Sequence, residues 1–184
     1  MAENLTLITG GARSGKSEFA ERLAAEAGTP VYYLATMEVP ADDLEAAERV
    51  SRHRRRRPDG WLTVEEPIEP DKAIRAIPSG RSIVLLDCLS LFVSNLLLGG
   101  SANGVEPRAQ EEPIALAVRE VLSAIAARPD LEFVVVTSEV GSGIVPENAL
   151  ARAYRDILGA ANQTVAGEAS RVWLVISGLE LKIK

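Results

Sequence analysis

The chain has 184 residues, a length that points to one domain over 1–184, large enough to bury a core without disulfide or metal staples. Hydrophobic residues make up 47% and charged residues 25%, ordinary for a globular domain, and a lone cysteine, Cys88, excludes an internal disulfide and a multi-cysteine metal site. Net charge is −6, from 20 Lys and Arg against 26 Asp and Glu, which argues against general nucleic-acid binding.

Leu5–Thr9 opens the chain with an apolar run that predicts a buried strand. Before it, Met1–Leu7 carries neither a basic n-region nor a long apolar stretch, and nowhere does a run approach the ~20 residues of a membrane span. A cytoplasmic location is expected. Lys16–Ala27 predicts a helix with Phe19, Ala20, Leu23 and Ala27 on one face. Val31–Ala35 reads as a second strand, and Asp42–Arg57 as a helix capped by Asp42 or Asp43 and stopped by Pro58. Trp61–Glu66 alternates, with Trp61, Thr63 and Glu65 on one side and Leu62 and Val64 on the other.

Further strands are predicted at Ser82–Leu86, Phe133–Thr137 and Val172–Ile176. Ile114–Ala127 predicts a helix with Ala117, Val118, Val121 and Ile125 on one face, and Asn148–Ala169 a helical region bent or broken at Gly159. Gly99–Pro107 is the most loop-like stretch. Leu179, Leu181 and Ile183 alternate as a final edge strand. The βαβα rhythm predicts an α/β fold, a P-loop nucleotide-binding domain with a largely parallel central sheet flanked by helices.

Gly10-Gly11-Ala12-Arg13-Ser14-Gly15-Lys16-Ser17 matches G-x-x-x-x-G-K-[ST], between a predicted strand and a predicted helix. Gly10 and Gly15 are expected to take backbone angles closed to other residues, so that successive N–H groups converge on phosphate. The helix N-terminus adds positive potential there. Lys16 is expected to bridge the outer phosphates and the Ser17 hydroxyl to ligate Mg²⁺. Ile83-Val84-Leu85-Leu86-Asp87 supplies the acidic partner, Asp87, as a second holder of Mg²⁺.

His53 is the only histidine, set among Arg49, Arg52, Arg54, Arg55, Arg56 and Arg57. Neighbouring guanidinium groups disfavour the imidazolium and keep the ring a neutral nucleophile, while the arginines can neutralise a phosphate. By residue type alone, a solvated basic helix carrying an incidental histidine is the stronger reading.

The loop at Ile8–Ser17, with Ala12 and Arg13 included, resembles that of the bifunctional adenosylcobinamide kinase/adenosylcobinamide-phosphate guanylyltransferase family of cobalamin biosynthesis. The resemblance continues through Tyr33-Leu34-Ala35-Thr36, Arg49–Pro58, Trp61, Thr63, Glu65 and Leu85–Cys88. It persists in Glu139–Asn148, Arg152, Arg155-Asp156, Asn162-Gln163, Val175–Gly178 and Lys182–Lys184. Where the family usually has Asn after Thr137, this chain has Ser138. The resemblance implies phosphorylation of adenosylcobinamide with ATP or GTP. It then implies transfer of GMP from GTP onto adenosylcobinamide phosphate through a GMP–histidine intermediate, giving adenosylcobinamide-GDP and pyrophosphate. His53 matches that histidine, which moves it from incidental to catalytic. The same matching implies nucleotide contacts from Gly10–Ser17, Ala35, Thr36, Met37, Arg54–Arg57, Glu65 and Asp87, and a homotrimer.

Two other readings compete. An ordinary P-loop kinase of one small molecule leaves His53 and its arginines idle. A GTP-dependent switch calls for an N-K-x-D motif after a late strand, where this chain has Thr137-Ser138-Glu139-Val140.

Overall fold

The computed structural model describes residues 2–37, 48, 55 and 57–184. The helix expected over Asp42–Arg57 lies outside the described residues except at Glu48 and Arg55, which are helical, and at Arg57.

Seven strands form one sheet: β1 (Ala2–Gly10), β2 (Val31–Ala35), β3 (Leu62–Glu65), β4 (Ser82–Asp87), β5 (Leu131–Val136), β6 (Ala169–Ile176) and β7 (Leu179–Lys182). Their order is β3-β2-β4-β5-β1-β6-β7. Every neighbouring pair is parallel except β6–β7. This is the expected α/β architecture, a mostly parallel sheet flanked by helices. The central strands are near-continuous apolar runs because both faces are covered.

On one face Leu7, Leu34, Leu86, Phe133 and Val135 pack against four helices: α2 (Pro70–Ala76), α3 (Leu89–Ala102), α4 (Glu111–Ala126) and α5 (Ala149–Glu168). On the other, Ile8, Tyr33, Leu85, Val134 and Val136 meet Phe19, Ala20 and Ala24 of α1 (Lys16–Glu26). Trp61 packs on the α1 side and Val64 on the opposite side, as the alternation along β3 requires. Among the described residues no helix is long and apolar enough to cross a membrane.

Three local expectations are corrected. Helix α5 runs unbroken through Gly159, because burial of Ile157, Leu158 and Ala161 outweighs the ~1 kcal/mol helix penalty of glycine. Helix α3 continues through Gly99 and Gly100 to Ala102, which removes the first four residues of the expected loop at Gly99–Pro107. A Cβ at Gly100 would stand 1.9 Å from Gln110 Oε1, so the glycine makes room for a buried glutamine. The third concerns Gly10. Gly15 has φ 97° as expected, but Gly10 is not among the positive-φ residues.

What requires glycine at position 10 is space. A Cβ there would lie 2.4 Å from the Val175 carbonyl oxygen and 2.7 Å from Ser14 Oγ. Gly10→Ala should therefore push β1 from β6 and lower stability by about 1–3 kcal/mol, the usual cost of overpacking. Urea denaturation without nucleotide reads this as a lower midpoint; an unchanged midpoint would show that the strands yield freely.

Candidate phosphate and metal site

The loop after β1 is shaped by its own backbone. Arg13 sits at φ 55° and Gly15 at φ 97°, left-handed turns that point successive amides inward to make an anion-binding concavity. The Ser14 amide donates to Gly11 O at 3.3 Å, and Gly178 N donates to Ser14 O at 2.8 Å, tying the loop to the β6–β7 turn. Glu139 N donates to Gly10 O at 3.0 Å, which fastens the other side to the segment after β5. Gly11, Ala12 and Arg13 are exposed, whereas Ser14 is buried. The Ser14 hydroxyl has no hydrogen-bond partner, an arrangement suited to a ligand oxygen. Lys16 Nζ donates to Gly11 O at 3.0 Å, folded back across the loop that phosphates would occupy.

Strand register brings the acidic residues to the same edge. Glu65 lies opposite Ala35, Ala35 opposite Asp87, Asp87 opposite Val136, and Val136 opposite Ile8. These five residues make one row across five strands, each ~4.8 Å from the next. Asp87 is two residues beyond Leu85, whose side chain packs on the α1 face, so Asp87 shares that face with the start of α1. A serine hydroxyl at position 17 and a carboxylate at position 87 are hard oxygen donors of the type Mg²⁺ takes together with phosphate oxygens. The donor set fits the ion.

A second set of contacts fixes Asp87. Tyr33 donates its hydroxyl to Asp87 Oδ2 at 2.6 Å; burial first, then the Asp87 charge, pushes that phenol well above its usual pKa. The guanidinium Cζ of Arg57 lies 3.4 Å from the Tyr33 ring centroid, and Arg57 Nη1 donates to Thr63 Oγ1 at 3.0 Å. Below Asp87, the fully buried Thr36 hydroxyl accepts from Cys88 N at 2.8 Å and donates to Cys88 O at 2.7 Å. Asn95 Nδ2 donates to Thr36 O at 2.8 Å and Pro67 O at 3.1 Å, joining α3 to the ends of β2 and β3. Burial, reinforced by Asp87, raises the Cys88 thiol to about 11, so it packs as a neutral group.

The structure thus gathers the Gly10–Ser17 loop, Ala35, Thr36, Glu65 and Asp87 at the carboxyl edge of the sheet, with Met37 half-buried directly after Thr36. Arg57 is seated beside them on Tyr33, and Arg55 is exposed. His53, Arg54 and Arg56 lie outside the described residues. Sequence reasoning did not assign Tyr33 or Asn95. Period-2 alternation puts Tyr33 on the face of Ala35, but nothing local shows that its hydroxyl reaches a neighbouring strand. Ser138 also gains a place: its carbonyl accepts from Asn162 Nδ2 at 3.0 Å, while Thr137 Oγ1 donates to Asn162 Oδ1 at 2.6 Å.

A family model described as cobinamide kinase / cobinamide phosphate guanyltransferase matches residues 6–183. The bifunctional adenosylcobalamin biosynthesis protein CobU of Escherichia coli (strain K12) is 42% identical over 184 residues, covering 98% of this chain and 99% of that protein. The bifunctional adenosylcobalamin biosynthesis protein CobP of Pseudomonas aeruginosa is 38% identical over 178 residues, covering 97% and 96%. Among solved structures, an ATPase from the type III secretion system of pathogenic bacteria aligns with TM-score 0.58 and 12% identity, over 97% of this chain and 56% of that one. At that identity the likeness is one of fold.

Because Lys16 is the loop's one ammonium group, Lys16→Ala should weaken binding of a nucleoside triphosphate roughly 10- to 100-fold, the worth of a charge-assisted hydrogen bond. Titration with a fluorescent GTP analogue measures it. Unaltered affinity would show that the phosphates bind elsewhere.

Proposed function

This chain belongs to the cobinamide kinase / cobinamide phosphate guanyltransferase family, and from that premise we propose how its residues divide two transfers between them. It is an enzyme of cobalamin biosynthesis with both activities. The observation that carries this conclusion is the family match across residues 6–183, joined to a phosphate loop and a strand-end carboxylate on one sheet edge.

In the first transfer, the hydroxyl oxygen on the aminopropanol arm of adenosylcobinamide forms a bond to the γ-phosphorus of ATP or GTP as the bond to the nucleoside diphosphate breaks, and the hydroxyl proton passes to solvent. The amides of Gly10–Ser17 hold the outer phosphates and Lys16 balances their charge as it shifts toward the leaving group. Ser17 and Asp87 would hold Mg²⁺, which would supply further positive charge to the triphosphate when bound. In the second transfer, the neutral imidazole of His53 forms a bond to the α-phosphorus of GTP as the bond to pyrophosphate breaks. A phosphate oxygen of adenosylcobinamide phosphate then attacks that phosphorus, the P–N bond breaks, and the imidazole is restored as adenosylcobinamide-GDP leaves. Arg54–Arg57 stabilise the charge on the attacked phosphate, and Ala35, Thr36, Met37 and Glu65 complete the nucleotide contacts. The stacking of Arg57 on Tyr33, beside the row that contains Asp87, supports placing both transfers near one edge. The whole chain, 1–184, serves as a single domain of a cytoplasmic homotrimer. A trimer at micromolar concentration in analytical ultracentrifugation is the expected result, and a monomer would refute it.

The GMP–His53 intermediate has a direct test. GTP and Mg²⁺ without acceptor should give, by intact-protein mass spectrometry, a protein heavier by one GMP, with pyrophosphate released. A phosphoramidate is acid-labile and base-stable, so mild acid should remove the mass and alkali should not. His53→Ala should form no adduct and lose guanylyl transfer, since the chain has no other histidine, while retaining phosphorylation of adenosylcobinamide at least in part. Guanylyl transfer at the normal rate by His53→Ala would make the histidine a bystander.

A further inference from the structure

Tyr33 has no part in the reactions just described, yet it touches both sets of residues assigned to them. Its hydroxyl donates to Asp87 Oδ2 at 2.6 Å, and its ring lies under the Arg57 guanidinium, 3.4 Å from centroid to Cζ. Register explains how one side chain does both. Tyr33 lies opposite Leu85 on β4 and opposite Thr63 on β3. Asp87 is the diagonal neighbour on the same face, within reach of a long aromatic side chain. Thr63 accepts from the Arg57 guanidinium, and Trp61 flanks the ring at 6.4 Å.

The residue is only 2% exposed. A hydroxyl buried to that degree is costly without a partner, so a phenylalanine would fill the position better if packing were its whole purpose. The partner it finds is a carboxylate at a strand end, a side chain whose torsions must otherwise be ordered by the ligand that binds it. We infer that Tyr33 is the positioning residue of the metal-site carboxylate: its hydroxyl occupies one oxygen of Asp87 and fixes the rotamer, leaving the other oxygen for the cation. The ring seats Arg57 independently of that hydroxyl. This inference rests on the reading of Asp87 as a Mg²⁺ ligand.

Tyr33→Phe separates the two roles, since it deletes the hydroxyl and keeps the ring beneath Arg57. The probe is Mn²⁺ added with a non-hydrolysable GTP analogue, with free Mn²⁺ followed by electron paramagnetic resonance. Tyr33→Phe should raise the Mn²⁺ dissociation constant about tenfold, the usual effect of losing a partner that orients a ligand. It should likewise raise the Mg²⁺ concentration for half-maximal phosphorylation, while the rate at saturating Mg²⁺ recovers. Asp87→Asn is the companion variant. Unchanged Mn²⁺ binding in Asp87→Asn would overturn the reading of Asp87 itself. Weakened binding in Asp87→Asn with wild-type binding in Tyr33→Phe would leave that reading standing and overturn the role of Tyr33. The double variant closes the cycle: if Tyr33 acts through Asp87, adding Tyr33→Phe to Asp87→Asn should cost no further Mn²⁺ affinity, whereas a full additive loss would mark a general structural effect and overturn the inference.

Discussion

The row Glu65, Ala35, Asp87, Val136 and Ile8 is the constraint on which the rest of the site depends. Parallel pairing fixes where each strand ends relative to its neighbours, and a slip of one residue would turn each side chain to the opposite face. Here the register is held by burial on both faces. Leu34, Leu85, Leu86, Val134 and Val136 leave almost nothing exposed, so no slipped register buries as much. Asp87 and the loop after β1 therefore come to the same edge, on the face that α1 covers. The site is organised by hydrophobic packing several residues below it.

Above that row the loop is shaped by tight backbone approaches. Gly10 passes so close to Val175 that no side chain fits, and Gly178 N reaches back to Ser14 O. The loop is thus braced on one side by β6 and the turn into β7, and on the other by Glu139. Arg13, a non-glycine residue at φ 55°, holds a conformation that costs of order 1–3 kcal/mol. Bracing on both sides is what can sustain it, and it keeps the amides converged before any anion arrives. Preorganised donors of this kind cost no rearrangement at the moment of transfer.

Much of this was legible in the sequence, for physical reasons. Strands buried on both faces read as continuous apolar runs, so β1, β2, β4 and β5 stand out; β6 does so through its apolar run Val172–Ile176, and the alternation of Trp61–Glu66 identified a strand with two distinct sides. The loop and Asp87 are local patterns in the right context. What escaped were features decided at long range. Helix α2 is seven residues long, too short to show a period. Helix α3 is apolar almost all round, so its glycines read as a break instead of a fit against Gln110. Gly159 carries a local penalty that packing of the flanking residues overrides. The partnership of Tyr33 with Asp87 depends on the order of β2 and β4 in the sheet, which no window of sequence contains. The assignment of His53 came from family resemblance, since its residue type and neighbours fit a solvated basic helix as well.

The contacts around Tyr33 also bear on how one small domain could support two different transfers. A kinase step and a nucleotidyl step cleave different bonds of a triphosphate, at the γ- and the α-phosphorus. The loop and Asp87 belong to rigid parts of the sheet edge, where movement would disturb the core. Arg57 is different: it is held by a ring face and one threonine hydroxyl, contacts worth about 1 kcal/mol each. Such contacts can be exchanged for a phosphate without unravelling a strand, whereas the 2.6 Å bond from the buried Tyr33 to the half-buried Asp87 joins two paired strands and can persist. In the proposed reading, the fixed part of the site serves the phosphate ends of any nucleotide, and the exchangeable arginine serves the phosphate that His53 attacks. Tyr33 is where the two meet, with its hydroxyl on the fixed side and its ring face on the exchangeable one.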